Sequence, residues 1–206
     1  MSRILEIHQS HPQARLIGQV IECLRDGGVV AYPTDSCYAL GCILTSKDGP
    51  DRVRQIRDLG RAHHFSVMCR GLADVSVYAR MDNDAFRWLK SSVPGPYTFI
   101  MRATGEVPRR VQHARRRTIG VRVPANPIAN AILESLAEGL MSSTLQLPDA
   151  EQPLVEPREI LTQLRNRVDL IVDGGPGDFE PSTIVDLTTG APEVVRRGCG
   201  DPALFE

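Results

Sequence analysis

Lysine is nearly missing from this chain: of 24 basic residues only Lys47 and Lys90 are lysine, and the rest are arginine. Schiff-base chemistry, or a phosphate loop built on a lysine, would have to use one of these two. Lys47 lies in a Ser-Lys-Asp-Gly loop and Lys90 on the polar side of the segment Asp84 to Ser91, so both read as solvated surface residues. No apolar run approaches the roughly 18 residues needed to span a bilayer, and Met1 to Glu6 lacks the long apolar core of an export signal. No membrane association is expected. The five cysteines are odd in number and hold no C-x-x-C pair, which speaks against a disulfide framework or a zinc knuckle and leads to the expectation of a reduced, cytoplasmic protein. His8, His11, His63, His64 and His113 show no metal-ligand spacing, so no protein-bound metal is expected. The glycines of Asp173 to Asp178 do not form a dinucleotide fingerprint and read as a turn.

What remains is an ordinary globular composition, with 206 residues, 42% apolar and 24% charged, and a net charge of −1. No Ser/Gly-rich linker or long charge block divides the chain, so a single domain over residues 1–206 is expected. Leu16, Ile17, Val20, Ile21 and Leu24 recur at helical spacing after Pro12 and feed an apolar strand, Val29 to Tyr32. Val53, Ile56 and Leu59 repeat the helical pattern, closed by Gly60, and Phe86 and Leu89 mark another helix. Further strands are expected at Ser66 to Cys69, Tyr97 to Met101, Thr118 to Val123, Val168 to Val172, Thr183 to Val185 and Glu193 to Arg196, with a helix started by Pro127 carrying Ile128, Ile132 and Leu136. Helix and strand alternate early while the last strands follow one another closely. The fold class is therefore α/β with a mixed sheet and flanking helices.

The segment Gly27 to Gly41 is the most informative. The strand runs into Pro33, which cannot donate to a ladder, and then into Thr34, Asp35 and Ser36, three short oxygen-bearing side chains at a strand's carboxyl end. These either orient a ligand or cap a local turn. Arg122 is the one charged residue in an apolar strand and requires an anionic partner, either a structural carboxylate such as Asp186 or a substrate carboxylate or phosphate. Arg57 and Arg61 flank a helix end and read as solvated. Arg109, Arg110, Arg115, Arg116 and Arg117 form a basic run suited to phosphate backbones, though without interleaved aromatics it also reads as a solvated loop. Cys37 has no assigned histidine base and reads as a buried structural thiol.

Several ordered motifs now carry a resemblance: Gly27 to Gly41, Pro94 to Thr98, Thr118 to Pro124, Pro181 to Asp186, and Arg196 with Gly198. Over essentially its whole length the chain resembles the YrdC-like domain proteins, and more closely their YciO branch. The family contains the L-threonylcarbamoyladenylate synthases, which condense L-threonine, bicarbonate and ATP to threonylcarbamoyl-AMP and pyrophosphate for the t6A modification of tRNA. The resemblance implies a twisted mixed sheet around a concave basic cleft, and some members are described as binding double-stranded RNA. It implies that Thr34, Arg122 and Ser182 hold threonine, with Cys69 at a family histidine position. Thr118, Arg196, Arg57, Arg61 and Thr144 would serve ATP, with Mg²⁺ carried on the nucleotide. Of these, Arg57, Arg196 and Thr144 would act in catalysis. The synthases' Lys-x-Arg motif falls on Arg57-Asp58-Leu59 and their Ser-x-Asn motif on Thr144-Leu145-Gln146, which implies weak or diverged synthase activity. The alternative from another class is a double-stranded RNA-binding module without turnover, using the arginine run 109–117.

Overall fold

A computed structural model describes residues 2–60 and 62–206. Ten strands form one continuous sheet: β1 (Arg3–Glu6), β2 (Val30–Tyr32), β3 (Ala39–Ile43), β4 (Ser66–Met68), β5 (Tyr97–Arg102), β6 (Thr118–Arg122), β7 (Leu140–Thr144), β8 (Leu170–Asp173), β9 (Thr183–Asp186) and β10 (Glu193–Arg196). Their order across the sheet is β1-β8-β2-β3-β7-β4-β6-β5-β9-β10. Four pairs are parallel and five antiparallel, so the sheet is mixed. Six helices flank it: α1 (Ala14–Arg25), α2 (Gly49–Arg57), α3 (Leu72–Tyr78), α4 (Asn83–Ser92), α5 (Pro127–Leu136) and α6 (Pro157–Gln163).

The apolar positions explain the layering. Ile17, Val20, Ile21 and Leu24 form one stripe of α1, and Ile128, Ile132, Leu133 and Leu136 one stripe of α5; both pack on Val30, Tyr32, Leu170 and Val172 of the sheet. The other face of the sheet presents Ala31, Leu40, Val67, Phe99, Ile119, Val121 and Ile171 to Val53 and Ile56 of α2, Val75 of α3, Leu89 of α4 and Ile160 of α6. Strands β8 and β2 are thus buried on both faces. Caps fix the helix starts: Asn126 accepts from the N–H groups of Ile128 and Ala129 ahead of Pro127, and Asp82 accepts from that of Ala85.

Two local expectations are corrected. Helix α2 stops at Arg57 rather than at Gly60, because Asp58 takes the left-handed conformation (φ 52°) and the Leu59 N–H closes on the Arg54 carbonyl. Gly27 to Gly41 is likewise a hairpin rather than a strand with a loop, since Ala39 to Gly41 return antiparallel to Val30–Tyr32. Among the described residues no helix is long and apolar enough to cross a membrane.

Candidate functional site

Only part of the sheet face that carries α1 and α5 is covered. Beyond these helices, over β7, β4, β6, β5 and β9, that face stays open, and the period-2 alternation of the strands decides what it shows. Along β6, Ile119 and Val121 enter the core while Thr118, Gly120 and Arg122 face the open side; along β5, Phe99 and Met101 enter the core and Thr98, Ile100 and Arg102 do not. The cross-strand register lines up Ser142, Ser66, Gly120 and Ile100 in one row and Met68, Arg122, Thr98, Ile184 and Arg196 in the next. The result is a cleft of about 280 Å³ with a floor of small and hydroxyl side chains. Gly120 is required there, since a Cβ would stand 2.5 Å from Ser66 Oγ and 3.1 Å from Thr98 Cγ2.

Three arginines converge on this cleft. Arg122 sits 7% exposed, and its Nη2 pairs with the Asp35 carboxylate and donates to Thr34 Oγ1 (3.2 Å) and Ser36 Oγ (3.0 Å). Its structural anion is therefore Asp35, not Asp186, which pairs instead with Arg116 at 3.1 Å. Asp35 is held from behind by the Ala125 N–H at 2.9 Å. The Arg122 Nε is buried with no partner among the described residues. Arg57, expected as a solvated residue, is half-buried: Nε donates to the Gln146 carbonyl (3.1 Å) and Nη1 to Ser143 Oγ (2.6 Å). Burial, and then the neighbouring Arg196, push its guanidinium down to about 10, so it remains charged at neutral pH. Arg196 reaches from the edge strand and donates twice to the Ser182 carbonyl, at 2.7 and 3.2 Å, and it too is pushed down by burial. Neither Arg57 nor Arg196 has a carboxylate partner among the described residues.

The other expected residues divide. Ser182 stands on the cleft, its hydroxyl 2.8 Å from that of Thr98, and Thr144 lines the wall opposite. Thr34 lies beside Arg122, but its hydroxyl is engaged in its own turn, donating to the Cys37 carbonyl at 2.7 Å and accepting from the Ser36 N–H at 3.1 Å. Thr118 binds His64 Nε2 through its hydroxyl at 2.9 Å. Cys69 does not reach the cleft: one step past Met68 the alternation turns it into the core, where it is fully buried and burial pushes its thiol up. Cys37 is buried at the cleft wall and its thiol is pushed up for the same reason, which fits a structural thiol rather than a nucleophile. Arg61 lies outside the described residues. Of the basic run, Arg109, Arg115, Arg116 and Arg117 line a separate groove, and Arg110 turns to the Thr45 carbonyl at 2.9 Å.

Residues that composition and spacing did not mark complete the wall. His63 Nε2 stands 3.3 Å from Ser143 Oγ and 3.4 Å from Arg57 Nη1, and burial next to that cation depresses its pKa to about 4, so the imidazole is neutral at pH 7. Strand β7 carries Ser142 and Ser143 here, and neither the apolar pattern of residues 140–144 nor a turn signal had identified it. The site is thus cationic and rich in hydroxyl donors, fitted to carboxylate and phosphate oxygens.

Comparisons with known proteins identify the family and the fold. A family model named Sua5_yciO_yrdC and described as Telomere recombination matches residues 22–198. The protein YciO of Escherichia coli is 49% identical over all of both chains, and its crystal structure superposes with a TM-score of 0.97 at 48% identity, again over 100% of each chain. A threonylcarbamoyl-AMP synthase of Methylobacillus flagellatus is 32% identical over 82% of this chain and 93% of its own. The crystal structure of P. abyssi Sua5 complexed with L-threonine has a TM-score of 0.88 at 22% identity, over 96% of this chain and 58% of that one, which is likeness of fold. The chain belongs to the Sua5/YciO/YrdC family.

Proposed function

We propose, with membership of the Sua5/YciO/YrdC family as the premise, that the cleft binds L-threonine and ATP and carries a diverged threonylcarbamoyl-AMP synthase activity, forming threonylcarbamoyl-AMP and pyrophosphate from L-threonine, bicarbonate and ATP. The observation that carries this reading is the pair Arg57 and Arg196, half-buried cations that face one cleft without a carboxylate. Holding such charges out of water without a counter-ion costs stability, and an anionic ligand supplies the missing partner. The two arginines would take phosphate oxygens, while Arg122 and Ser182, which line the same cleft, would serve the amino acid. Further support comes from the synthase of M. flagellatus and from the Sua5 that binds L-threonine.

The threonine amine and bicarbonate would give N-carboxythreonine with loss of water, and its new carboxylate attacks the α-phosphorus of ATP as pyrophosphate leaves. The chain's contribution is alignment of the two anions and neutralisation of charge on the α-phosphoryl oxygens by Arg57 and Arg196. Mg²⁺ enters on the triphosphate as part of the substrate. The protein would act in the cytoplasm and feed the modification of tRNA. A double-stranded RNA module without turnover would draw on the arginine run, but it leaves the cleft cations unexplained.

L-threonine with ATP should raise the melting temperature, the stabilisation reaching about 2.7 kcal/mol at a hundredfold excess over Kd. Arg57→Gln and Arg196→Gln, which break no ion pair, should keep the fold and lose the ATP-dependent part. No shift with millimolar ligands would end the assignment of the cleft.

A further inference from the structure

A second concavity lies at the far end of the same β5–β6 ladder, two residues beyond the cleft floor. Arg80, Arg102, Arg109, Arg115, Arg116 and Arg117 surround it, with no carboxylate in its wall, around a volume of about 980 Å³. The whole chain carries 25 acidic residues against 24 basic ones, so gathering a quarter of the cations around one acid-free groove is a concentration that composition does not explain. Only Arg116 has a carboxylate partner, Asp186; the other five have none among the described residues.

The backbone holds these cations in place. The Arg80 N–H donates to the Arg102 carbonyl at 2.8 Å, Arg102 pairs across the ladder with Thr118, and the Ala103 N–H donates to the Arg117 carbonyl at 3.1 Å. His113 pins the loop between: its Nδ1 accepts from the N–H groups of Arg115 (3.3 Å) and Arg116 (3.1 Å), and its carbonyl accepts from that of Arg117 (3.1 Å). Three arginine-bearing segments are therefore fixed around one space before any ligand arrives. Their mutual repulsion falls when an anion enters, and the planar guanidinium fork matches phosphoryl oxygens.

Two features select the kind of anion. No aromatic side chain lines the groove, so unpaired bases would find nothing to stack on. The groove's volume of about 980 Å³ also falls within the range of small-ligand pockets, which suits a compact molecule better than a duplex. We propose that this groove is a second anion site, separate from the cleft, for a compact ligand carrying several phosphoryl groups in series. The proposal does not depend on the chemistry assigned to the cleft.

The test is calorimetric titration of inorganic tripolyphosphate, UTP and a 20-base-pair RNA duplex into the parent chain, Arg196→Gln, and the groove variant Arg102→Gln with Arg109→Gln and Arg115→Gln. Tripolyphosphate should show a binding component that persists in Arg196→Gln, whatever the cleft itself contributes, and that is at least about tenfold weaker in the groove variant, since charge-assisted contacts are lost. The same pattern with UTP names a nucleoside polyphosphate as the ligand, whereas tripolyphosphate alone names an inorganic one. The three arginines replaced in the groove variant are exposed; if that variant melts early, Arg109→Gln and Arg115→Gln singly must each still weaken binding. The proposal is overturned if tripolyphosphate does not bind, if Arg196→Gln abolishes binding while the groove variant keeps it, or if the duplex binds and tripolyphosphate fails to displace it.

Discussion

One face of the sheet behaves in two ways. Where α1 and α5 lie on it, the strands present Val30, Tyr32, Leu170 and Val172 and the face is core; where no helix lies on it, the same alternation presents Ser66, Thr98, Gly120 and Ser142 and the face is a cleft. Strand geometry is the same in both halves. What differs is whether a helix supplies the second apolar layer, and the residues follow: covered positions are mostly large and apolar, while the open ones mix Met68, Ile100 and Ile184 with small, hydroxylated and cationic side chains. The two halves meet at Tyr32, whose ring belongs to the covered half while its hydroxyl donates to Ser142 Oγ at 2.7 Å. A strand buried on both sides yet polar on one is therefore a mark of a site rather than of a weak core.

The largest effect should come from the covered half. Leu170 is fully buried between the two layers, and Leu170→Ala should cost about 2–5 kcal/mol of stability, read by urea unfolding, while leaving ligand affinity of the surviving fold near that of the parent. Loss of affinity with little loss of stability would erase the distinction between the halves. Gly120→Val reverses the balance. Its Cβ meets Ser66 Oγ at 2.5 Å on the cleft floor, so a cost of about 1–3 kcal/mol is expected together with loss of the ligand-induced thermal shift.

The smallest effect is a pH dependence at the cleft wall. His63 has its pKa lowered by burial and by Arg57, from the usual 6.5 to about 4 in the folded state. Between these values the unfolded chain binds the proton more tightly, so the neutral imidazole's contribution is complete above about pH 6.5 and is lost as pH falls toward 4. One proton limits the slope to about 1.4 kcal/mol per pH unit. The stability difference between the parent chain and His63→Gln should shrink across that window and stay constant above it; a constant difference throughout would show that His63 is not held neutral against Arg57.

Much of this was legible in residues alone. The apolar stripe of α1, the Asn126-Pro127 start of α5 and the need of Arg122 for an anion are local signals, and the alternation of Thr118 to Val123 already separates a core face from a polar one. The identity of the anion was not legible, because Asp35 and Asp186 are equally acidic and only the hairpin of β2 and β3 brings Asp35 to Arg122. Arg57 reads as solvated for a similar reason, since its burial is created by Gln146 and Ser143, nearly ninety residues away. Strand β7 is short and half hydroxylated, so no periodicity announces it, although it supplies one whole wall. Cys69 was grouped with the pocket by family position, whereas the parity of the strand sends it into the core.

The central claim is that the uncovered half of the sheet binds an amino acid and a nucleotide together and lets them react. Pyrophosphate release from ATP and bicarbonate, with each amino acid added in turn, tests it most directly. The expected result is saturable release that requires L-threonine and falls by about 10²–10³ in Arg196→Gln, the loss typical of a preorganised charge-stabilising donor. Release that ignores threonine, or that survives unchanged in Arg196→Gln, would contradict it.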